Sequence, residues 1–81
     1  MYDVRTPEEF NKGHFDGATN LPLPEVAGRL NEFPTDKAII LYCASARRAF
    51  FAAAILQQKG IKSGVVKGKF SVKDGKPQIV E

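Results

Sequence analysis

The apolar positions of this chain predict a strand, a helix and a second strand in its central part. Residues 38–42 form a continuous apolar run that is too short for a helix and is typical of a buried strand. Residues 47–59 are rich in alanine and carry large apolar side chains, and Gly60 follows where a helix would end. Residues 61–66 predict another strand, which should run parallel to the first because a helix connects the two.

Shorter elements precede this central unit. Residues 1–4 predict a short strand. The four residues from Thr6 to Glu9 form a capping box, with a threonine N-cap, a proline in the first turn and a glutamate three residues after the cap. The helix that they open should end near Gly13, and residues 18–21 predict a brief strand.

Two further segments complete the predicted elements. Val26 and Leu30 lie four residues apart behind a proline, and they predict a second short helix over residues 23–30. Asp74-Gly75 is a favoured two-residue hairpin turn with apolar residues on both sides. The C-terminal segment therefore predicts a β-hairpin, whose second arm is restricted to a sheet edge by Pro77.

Length, composition and charge limit the class of protein. Eighty-one residues suffice for one small domain, which we expect to span residues 1–81. A content of 43% hydrophobic and 26% charged residues is typical of a folded chain, and the order of elements predicts an α/β fold. The net charge of +3 comes from scattered basic residues that do not alternate with aromatic ones, so nucleic-acid binding is not expected. No apolar run approaches the length of a membrane span, so no membrane partner is expected.

Cys43 is the only cysteine and stands directly after one predicted strand and just before the longest predicted helix. Backbone N–H groups of such a loop and the positive end of the helix dipole favour an anion, and Arg47 and Arg48 add positive charge. These surroundings favour the thiolate form of a cysteine. The alternative for a lone cysteine is a buried residue that only fills space in the core.

The single cysteine also bears on the compartment. It cannot form a disulfide within the chain, so pairing does not indicate an oxidising environment. A free thiol is most easily kept reduced in the cytoplasm, which is the expected location. If a leader sequence has been removed, the periplasm is the alternative.

Three separated motifs resemble those of the rhodanese family of sulfurtransferases, and of its single-domain members in particular. Residues 3–10, DVRTPEEF, are similar to the opening motif of the family. Residues 13–22, GHFDGATNLP, resemble its glycine-histidine turn, and residues 42–48 resemble its active loop. The three motifs follow the order of the family and together extend over much of the chain.

The resemblance implies a small central parallel sheet flanked by helices, with the active loop between the central strand and the following helix. It also implies that Cys43 accepts a sulfane sulfur from a small anionic donor such as thiosulfate or polysulfide and becomes a persulfide. The sulfur then passes to cyanide or to a thiol, and a protein thiol is a further candidate acceptor. This chemistry needs neither a metal nor an organic cofactor.

The resemblance also assigns roles to the rest of the loop. Arg48 stands where the family has an arginine that helps to bind the donor anion and to stabilise the loop. The backbone amides of Ala44, Ser45, Ala46 and Arg47 would surround the sulfur. The side chain of Arg47 adds positive charge or is simply solvated, and the Ser45 hydroxyl is either a donor or a surface group. Many family members have glycine where Ala46 stands, and a positive φ at an alanine would cost about 1 kcal/mol.

Two other functions compete with sulfur transfer. Rhodanese-like domains also serve as non-catalytic binding or regulatory modules, although the presence of both Cys43 and Arg48 argues against this. A thiol redox sensor would form a sulfenic acid or a mixed disulfide at Cys43. Phosphatases related to this fold have arginine six positions after the cysteine, where this chain has Ala49. Phosphatase activity is therefore not expected.

Residues outside the loop are expected to be structural. His14, the only histidine, is expected to support a turn rather than to act as a base. Asp3 and Arg5 are expected to form an ion pair beneath the loop. The large apolar residues of the long helix are expected in the core: Phe50, Phe51, Ile55 and Leu56.

Overall fold

Four short parallel strands form the centre of the computed structural model, which describes residues 1–80. The strands are β1 (Tyr2–Asp3), β2 (Thr19–Asn20), β3 (Ile40–Tyr42) and β4 (Gly64–Val65). They lie in the order β2-β1-β3-β4, with Tyr2 opposite both Thr19 and Leu41. The connecting helices are α1 (Pro7–Lys12), α2 (Leu23–Val26) and α3 (Arg47–Gln58). The predicted α/β fold is confirmed, although each strand is shorter than the segment predicted to form it.

The direction of the chain across the sheet reverses between β1 and β3. From β1 the chain passes through α1 to β2 on one side, and from β3 it passes through α3 to β4 on the other. The loops after β1 and β3 therefore diverge at the carboxyl ends of two adjacent strands. In open parallel sheets such a point forms a crevice that binds ligands. Cys43 immediately follows β3 at this point.

The capping box at the start of α1 forms as predicted. The hydroxyl of Thr6 accepts the backbone N–H of Glu9 at 3.2 Å, and the carboxylate of Glu9 accepts the backbone N–H of Thr6 at 3.1 Å. These two bonds satisfy N–H groups that the first turn of a helix leaves without partners. The carboxylate of Glu9 is thereby held at the carboxyl end of β1.

The second predicted helix is shorter than expected. It ends at Val26, and Leu30 begins a separate 3-10 turn that ends at Glu32. Arg29 separates the two with φ −127° and ψ 29°, which is not helical. Val26 is fully buried and Leu30 packs against the same core. The spacing of these two residues thus identified a segment facing the core, but not one continuous helix.

Helix α3 is the longest helix and packs against the sheet through small side chains. Its buried residues are Ala49, Ala52 and Leu56. Ile55 is partly buried against this core, but Phe50 and Phe51 are 50% and 69% exposed, so their predicted core position is wrong. They lie one and two positions beyond Ala49, which turns them away from the buried stripe of the helix. Within residues 1–80, no helix has both the length and the apolar character needed to cross a membrane.

A β-hairpin of β5 (Lys69–Lys73) and β6 (Lys76–Val80) follows the parallel sheet. Its two antiparallel strands form a sheet of their own. Asp74 and Gly75 both have positive φ, at 53° and 76°, which is the geometry of a type I′ turn. The predicted hairpin is confirmed, and Pro77 is tolerated because both strands of a two-stranded sheet are edges.

Candidate functional site

The sulfur of Cys43 lies beneath the first turn of α3. The backbone N–H of Ala49 donates to the Cys43 Sγ at 3.3 Å, and the residue is only 1% exposed. This N–H and the positive end of the helix dipole both stabilise negative charge on the sulfur. A sulfur atom added to Sγ would therefore form close to the N-terminus of α3.

Ala46 turns the chain from the loop into α3. It is the N-cap of the helix, with φ 72° and ψ −15°, which is the left-handed conformation. Its carbonyl accepts the N–H of Phe50 at 2.9 Å, and its side chain is buried. The departure from glycine identified in the sequence therefore falls on a residue with positive φ, where alanine is strained.

Arg48 binds a carboxylate on another helix. Its Nη1 and Nη2 atoms donate to Glu9 Oε1 and Oε2 at 2.7 and 3.0 Å. This paired contact lowers the pKa of Glu9 to about 2, with the hydrogen bond from Arg48 as the main cause. Both side chains are about one third exposed. The edge of the guanidinium that carries both Nη atoms is thus directed to Glu9, and the pair joins the starts of α1 and α3.

An ion pair beneath the loop connects β1 to the hairpin. Arg5 donates to both carboxylate oxygens of Asp3 at 2.7–3.0 Å, and both residues are buried. The same guanidinium donates to the carbonyl of Gly13 at 2.7 Å and lies 4.1 Å above the ring of Phe70. The predicted Asp3–Arg5 pair is therefore present, and it also positions the glycine-histidine turn and the hairpin.

Tyr42 occupies the end of β3 directly before the cysteine. Its hydroxyl accepts the N–H of Phe15 at 3.2 Å, and its ring contacts those of Phe15 and Phe70. Burial raises the pKa of Tyr42 to about 12. The phenol therefore stays neutral near pH 7 and is not a base for Cys43.

His14 makes its contacts within the turn. Its Nδ1 atom lies 2.7 Å from the carbonyl oxygen of Phe10, and the two rings stack with centroids 3.6 Å apart. The imidazole therefore joins the end of α1 to the turn, which fits the structural role expected from the sequence.

The hairpin binds the loop directly, which the sequence did not predict. The N–H of Phe70 donates to the carbonyl of Ala44 at 2.8 Å. Ala44 is partly buried, whereas Ser45 and Arg47 are exposed. The sequence also did not indicate that Glu9 is the partner of Arg48, because its place in the capping box already explained this residue. Neither contact has a local sequence pattern, since the partners are distant in the chain.

Comparison with known proteins agrees with this geometry. The family model described as Rhodanese-like domain matches residues 1–73. Over 60 residues the chain is 37% identical to "Sulfurtransferase" of Allochromatium vinosum, a match that covers 74% of this chain and 56% of that protein. It is 38% identical over 60 residues to "Thiosulfate sulfurtransferase PspE" of Escherichia coli, covering 72% of this chain and 58% of PspE. The chain thus spans little more than half the length of these two relatives.

Solved structures show the same fold. The structure titled "Crystal structure of reduced Bacillus anthracis CoADR-RHD" matches with a TM-score of 0.80 and 41% sequence identity. The match covers 84% of this chain and 12% of that much longer chain. The fold of this chain is therefore already known as part of a larger protein.

Proposed function

This chain belongs to the rhodanese-like domain family, and on this basis we propose that it is a sulfurtransferase that carries sulfane sulfur as a persulfide on Cys43. Family membership and the two relatives named as sulfurtransferases support sulfur transfer in general. The observation that favours Cys43 is the N–H of Ala49, 3.3 Å from its sulfur at the N-terminus of α3. A polarisable thiolate is the group that can attack sulfur and then hold it for a second nucleophile.

The proposed cycle has two displacement steps. In the first, the Cys43 thiolate attacks the outer sulfur of thiosulfate, the sulfur–sulfur bond of the donor breaks, and sulfite leaves with the bonding electron pair. Cys43 then carries a persulfide anion. In the second, cyanide or a thiolate attacks the terminal sulfur, and thiocyanate or a new persulfide leaves as the Cys43 thiolate re-forms. Polysulfide would enter the first step in the same way, with a shorter polysulfide as the leaving group.

The loop residues have supporting roles in this proposal. The backbone amides of Ala44, Ser45, Ala46 and Arg47 would stabilise the anionic persulfide as a preorganised set of donors. Arg48 would help to bind the donor anion, as the family resemblance implies, and it holds the loop against α1 through its paired bonds to Glu9. The cycle uses no metal and no organic cofactor. An acceptor thiol on a partner protein is included in the proposal, and the cytoplasm is the proposed location.

Intact mass measurement tests the proposal. The protein is incubated with thiosulfate or polysulfide, weighed, treated with cyanide and weighed again, while thiocyanate is assayed in parallel. We expect the gain of one sulfur atom and its loss on cyanide treatment. The adduct can be assigned without digestion because Cys43 is the only cysteine. The Cys43→Ser variant, which keeps a side chain of similar size, should gain no sulfur and form no thiocyanate.

Other results would direct attention to the competing functions. If neither donor forms an adduct while a small thiol reagent still labels Cys43, sulfur transfer is contradicted. Reversible oxidation of Cys43 by peroxide in that case would favour a redox sensor. Thiocyanate formation by the Cys43→Ser variant would contradict the proposed nucleophile.

A further inference from the structure

The β5–β6 hairpin and the Cys43 sulfur lie on opposite faces of the parallel sheet. Side chains alternate between the two faces along a strand. Leu41 and Cys43 belong to the apolar core that α3 covers, and the Cys43 sulfur accepts the N–H of Ala49 on that helix. Tyr42 lies between them and points the other way, and the Phe70 ring of β5 stacks against it with centroids 5.7 Å apart. The hairpin is therefore behind the loop as seen from the sulfur.

Two side chains of β5 fix the hairpin to this second face. The Phe70 ring also meets the Phe15 ring edge-on at 5.6 Å, and its centroid lies 4.1 Å from the Arg5 guanidinium. Val72 packs so closely on Gly13 that a Cβ atom added there would lie 2.7 Å from the Val72 side chain. A two-stranded hairpin is at best marginally stable by itself. These contacts therefore determine where the backbone of β5 lies.

The outer edge of β5 donates a hydrogen bond to the loop. In an antiparallel pair, successive residues direct their backbone groups alternately towards the partner strand and away from it. The Phe70 N–H faces away from β6 and donates to the carbonyl of Ala44 at 2.8 Å. The Ala44 carbonyl is thus directed to the face of the sheet on which the hairpin lies.

This bond sets the direction of the next N–H group in the loop. The peptide bonds of residues 1–80 are trans, and the C=O and N–H of a trans peptide point in opposite directions. Because the hairpin holds the Ala44 carbonyl, the N–H of Ser45 points to the other face, where the Cys43 sulfur lies. Within residues 1–80, no backbone carbonyl accepts this N–H. It is therefore available to an atom bound in the loop.

The opposite orientation of this peptide would disfavour a persulfide. Rotation of the peptide between Ala44 and Ser45 would turn the carbonyl oxygen towards the sulfur and the N–H away from it. A partial negative charge would then replace a donor beside an anionic sulfur. Donors that are already aimed at developing charge are the ones that stabilise it most. The hydrogen bond from the hairpin thus selects the favourable orientation.

We propose that Phe70 is a positioning residue for sulfur transfer, whose backbone N–H holds the Ala44–Ser45 peptide so that the Ser45 N–H faces the sulfur carried by Cys43. The proposal rests on the proposed sulfurtransferase function. As the Cys43 thiolate bonds to the outer sulfur of thiosulfate, the sulfur–sulfur bond of the donor breaks and sulfite leaves with the electron pair. The negative charge of the persulfide is then on its terminal sulfur. The Ser45 N–H stabilises this charge, and Phe70 acts through the peptide that it orients.

Replacing one peptide bond by an ester tests this role. Phenyllactic acid at position 70 keeps the side chain of Phe70 and removes its N–H. Native chemical ligation can introduce this change, because Cys43 is the only cysteine and lets a synthetic peptide of residues 43–81 be joined to residues 1–42. Loss of one hydrogen bond is a small part of the stability of a domain, so the ester protein should fold.

The matched control is the same change at Val72. Its N–H also lies on the outer edge of β5, because it is two residues beyond Phe70 on the same strand. Each ester also weakens the preceding carbonyl, and the two carbonyls belong to Lys69 and Ser71, which are paired with β6 in the same way. The two ester proteins therefore differ in the bond to the loop.

Single-turnover loading with thiosulfate, followed by intact mass, is the first measurement. The ester at position 70 should lower the maximal loading rate about three- to tenfold, the range of one hydrogen bond. The thiosulfate concentration that gives half the maximal rate should not change, because the donor binds before the charge moves. The ester at position 72 should match the unaltered protein in both quantities.

Three kinetic results would overturn the proposal. The first is an unchanged loading rate in the ester protein altered at position 70. The second is an equal loss of rate in both ester proteins, which would show a general effect on the hairpin. The third is a half-maximal concentration that rises as much as the rate falls, which would show that the loop has only become loose.

A nuclear Overhauser measurement separates this proposal from the sulfurtransferase cycle. With ¹⁵N at Ser45, the unaltered protein should show a cross-peak between the Ser45 amide hydrogen and the β hydrogens of Cys43. The ester at position 70 should weaken this cross-peak, and the ester at position 72 should not. If the unaltered protein gains no sulfur but the cross-peak depends on the ester, the cycle fails and the orientation of the peptide by Phe70 stands. If sulfur is gained while rate and cross-peak are both unchanged, the positioning role fails and the cycle stands.

Discussion

Replacing Arg5 by methionine should remove a large part of the free energy of unfolding of this domain. Arg5 binds the buried carboxylate of Asp3 through two nitrogen atoms, donates to the Gly13 carbonyl and stacks on Phe70. Methionine retains much of the apolar length but none of these bonds. The Asp3 carboxylate, which is 0% exposed, would keep only the backbone N–H of residue 5 among its present donors. A buried charge without its partner is strongly destabilising.

The expected magnitude follows from this burial. Breaking a buried ion pair on one side costs about 3–5 kcal/mol. A domain of this length has a free energy of unfolding of about 4–12 kcal/mol. At about 4–8 °C for each kcal/mol, the melting temperature should fall by more than about 10 °C. The loss of the contact with Phe70 should also release the hairpin, so the Phe70 amide should exchange its hydrogen faster.

A double-mutant cycle is the assay, with urea unfolding followed by far-UV circular dichroism. The variants are Arg5→Met, Asp3→Asn and the combination of both. Because the double variant buries neither charge, it should be no less stable than the worse of the two single variants. Arg29→Met is the control, since Arg29 is paired with two glutamates on the exposed surface and should matter little. The reasoning is refuted if Arg5→Met costs no more than Arg29→Met, or if the two single effects simply add.

Three further changes test other contacts. Ala46→Gly should relieve about 1–2 kcal/mol of strain from the left-handed conformation. The greater freedom of glycine in the unfolded chain should cost about 0.5–1 kcal/mol. The urea midpoint should therefore not fall, and sulfur transfer should persist. A lower midpoint would show that the buried methyl group matters more than the strain. Glu9→Gln should lower the free energy of unfolding by up to about 1 kcal/mol, because the Glu9 and Arg48 side chains are both about one third exposed. Since the pKa of Glu9 is lowered from 4.5 to about 2, this cost should be complete above about pH 5 and vanish as the pH falls towards 2. A cost that is the same at all pH values would contradict the ion pair. Gly68→Ala should lower the free energy of unfolding by at least about 2 kcal/mol, because the new Cβ atom would lie too close to the Val80 carbonyl. Gly60 also has a positive φ, of 78°, but a Cβ atom there would meet no other atom, so Gly60→Ala should cost about 1 kcal/mol. Equal costs, measured by urea unfolding, would exclude the predicted clash.

The sequence by itself determined the elements whose causes are local. The capping box of Thr6 and Glu9 starts α1, because its hydrogen bonds span only three residues. The Asp74-Gly75 turn determines the hairpin, because both residues adopt positive φ at low cost. The apolar run that ends at Tyr42, followed by a lone cysteine and a helix, also indicated where the loop would lie. Motifs along the chain then identified the family, which the matching family model confirmed.

Only the tertiary structure decided which distant groups meet at the loop. Arg48 and Glu9 are 39 residues apart. The sequence had already given each a role within its own segment, Glu9 in the capping box and Arg48 in the loop, so nothing indicated that they meet. Phe70 reaches Ala44 because the hairpin folds back across the end of β3. Phe50 and Phe51 are exposed because the stripe of alanines on α3 packs against the sheet. Hydrogen-bond geometry and backbone preference act over a few residues and can be predicted from the order of amino acids. Contacts between separate elements depend on how those elements pack, and that is decided by the fold as a whole.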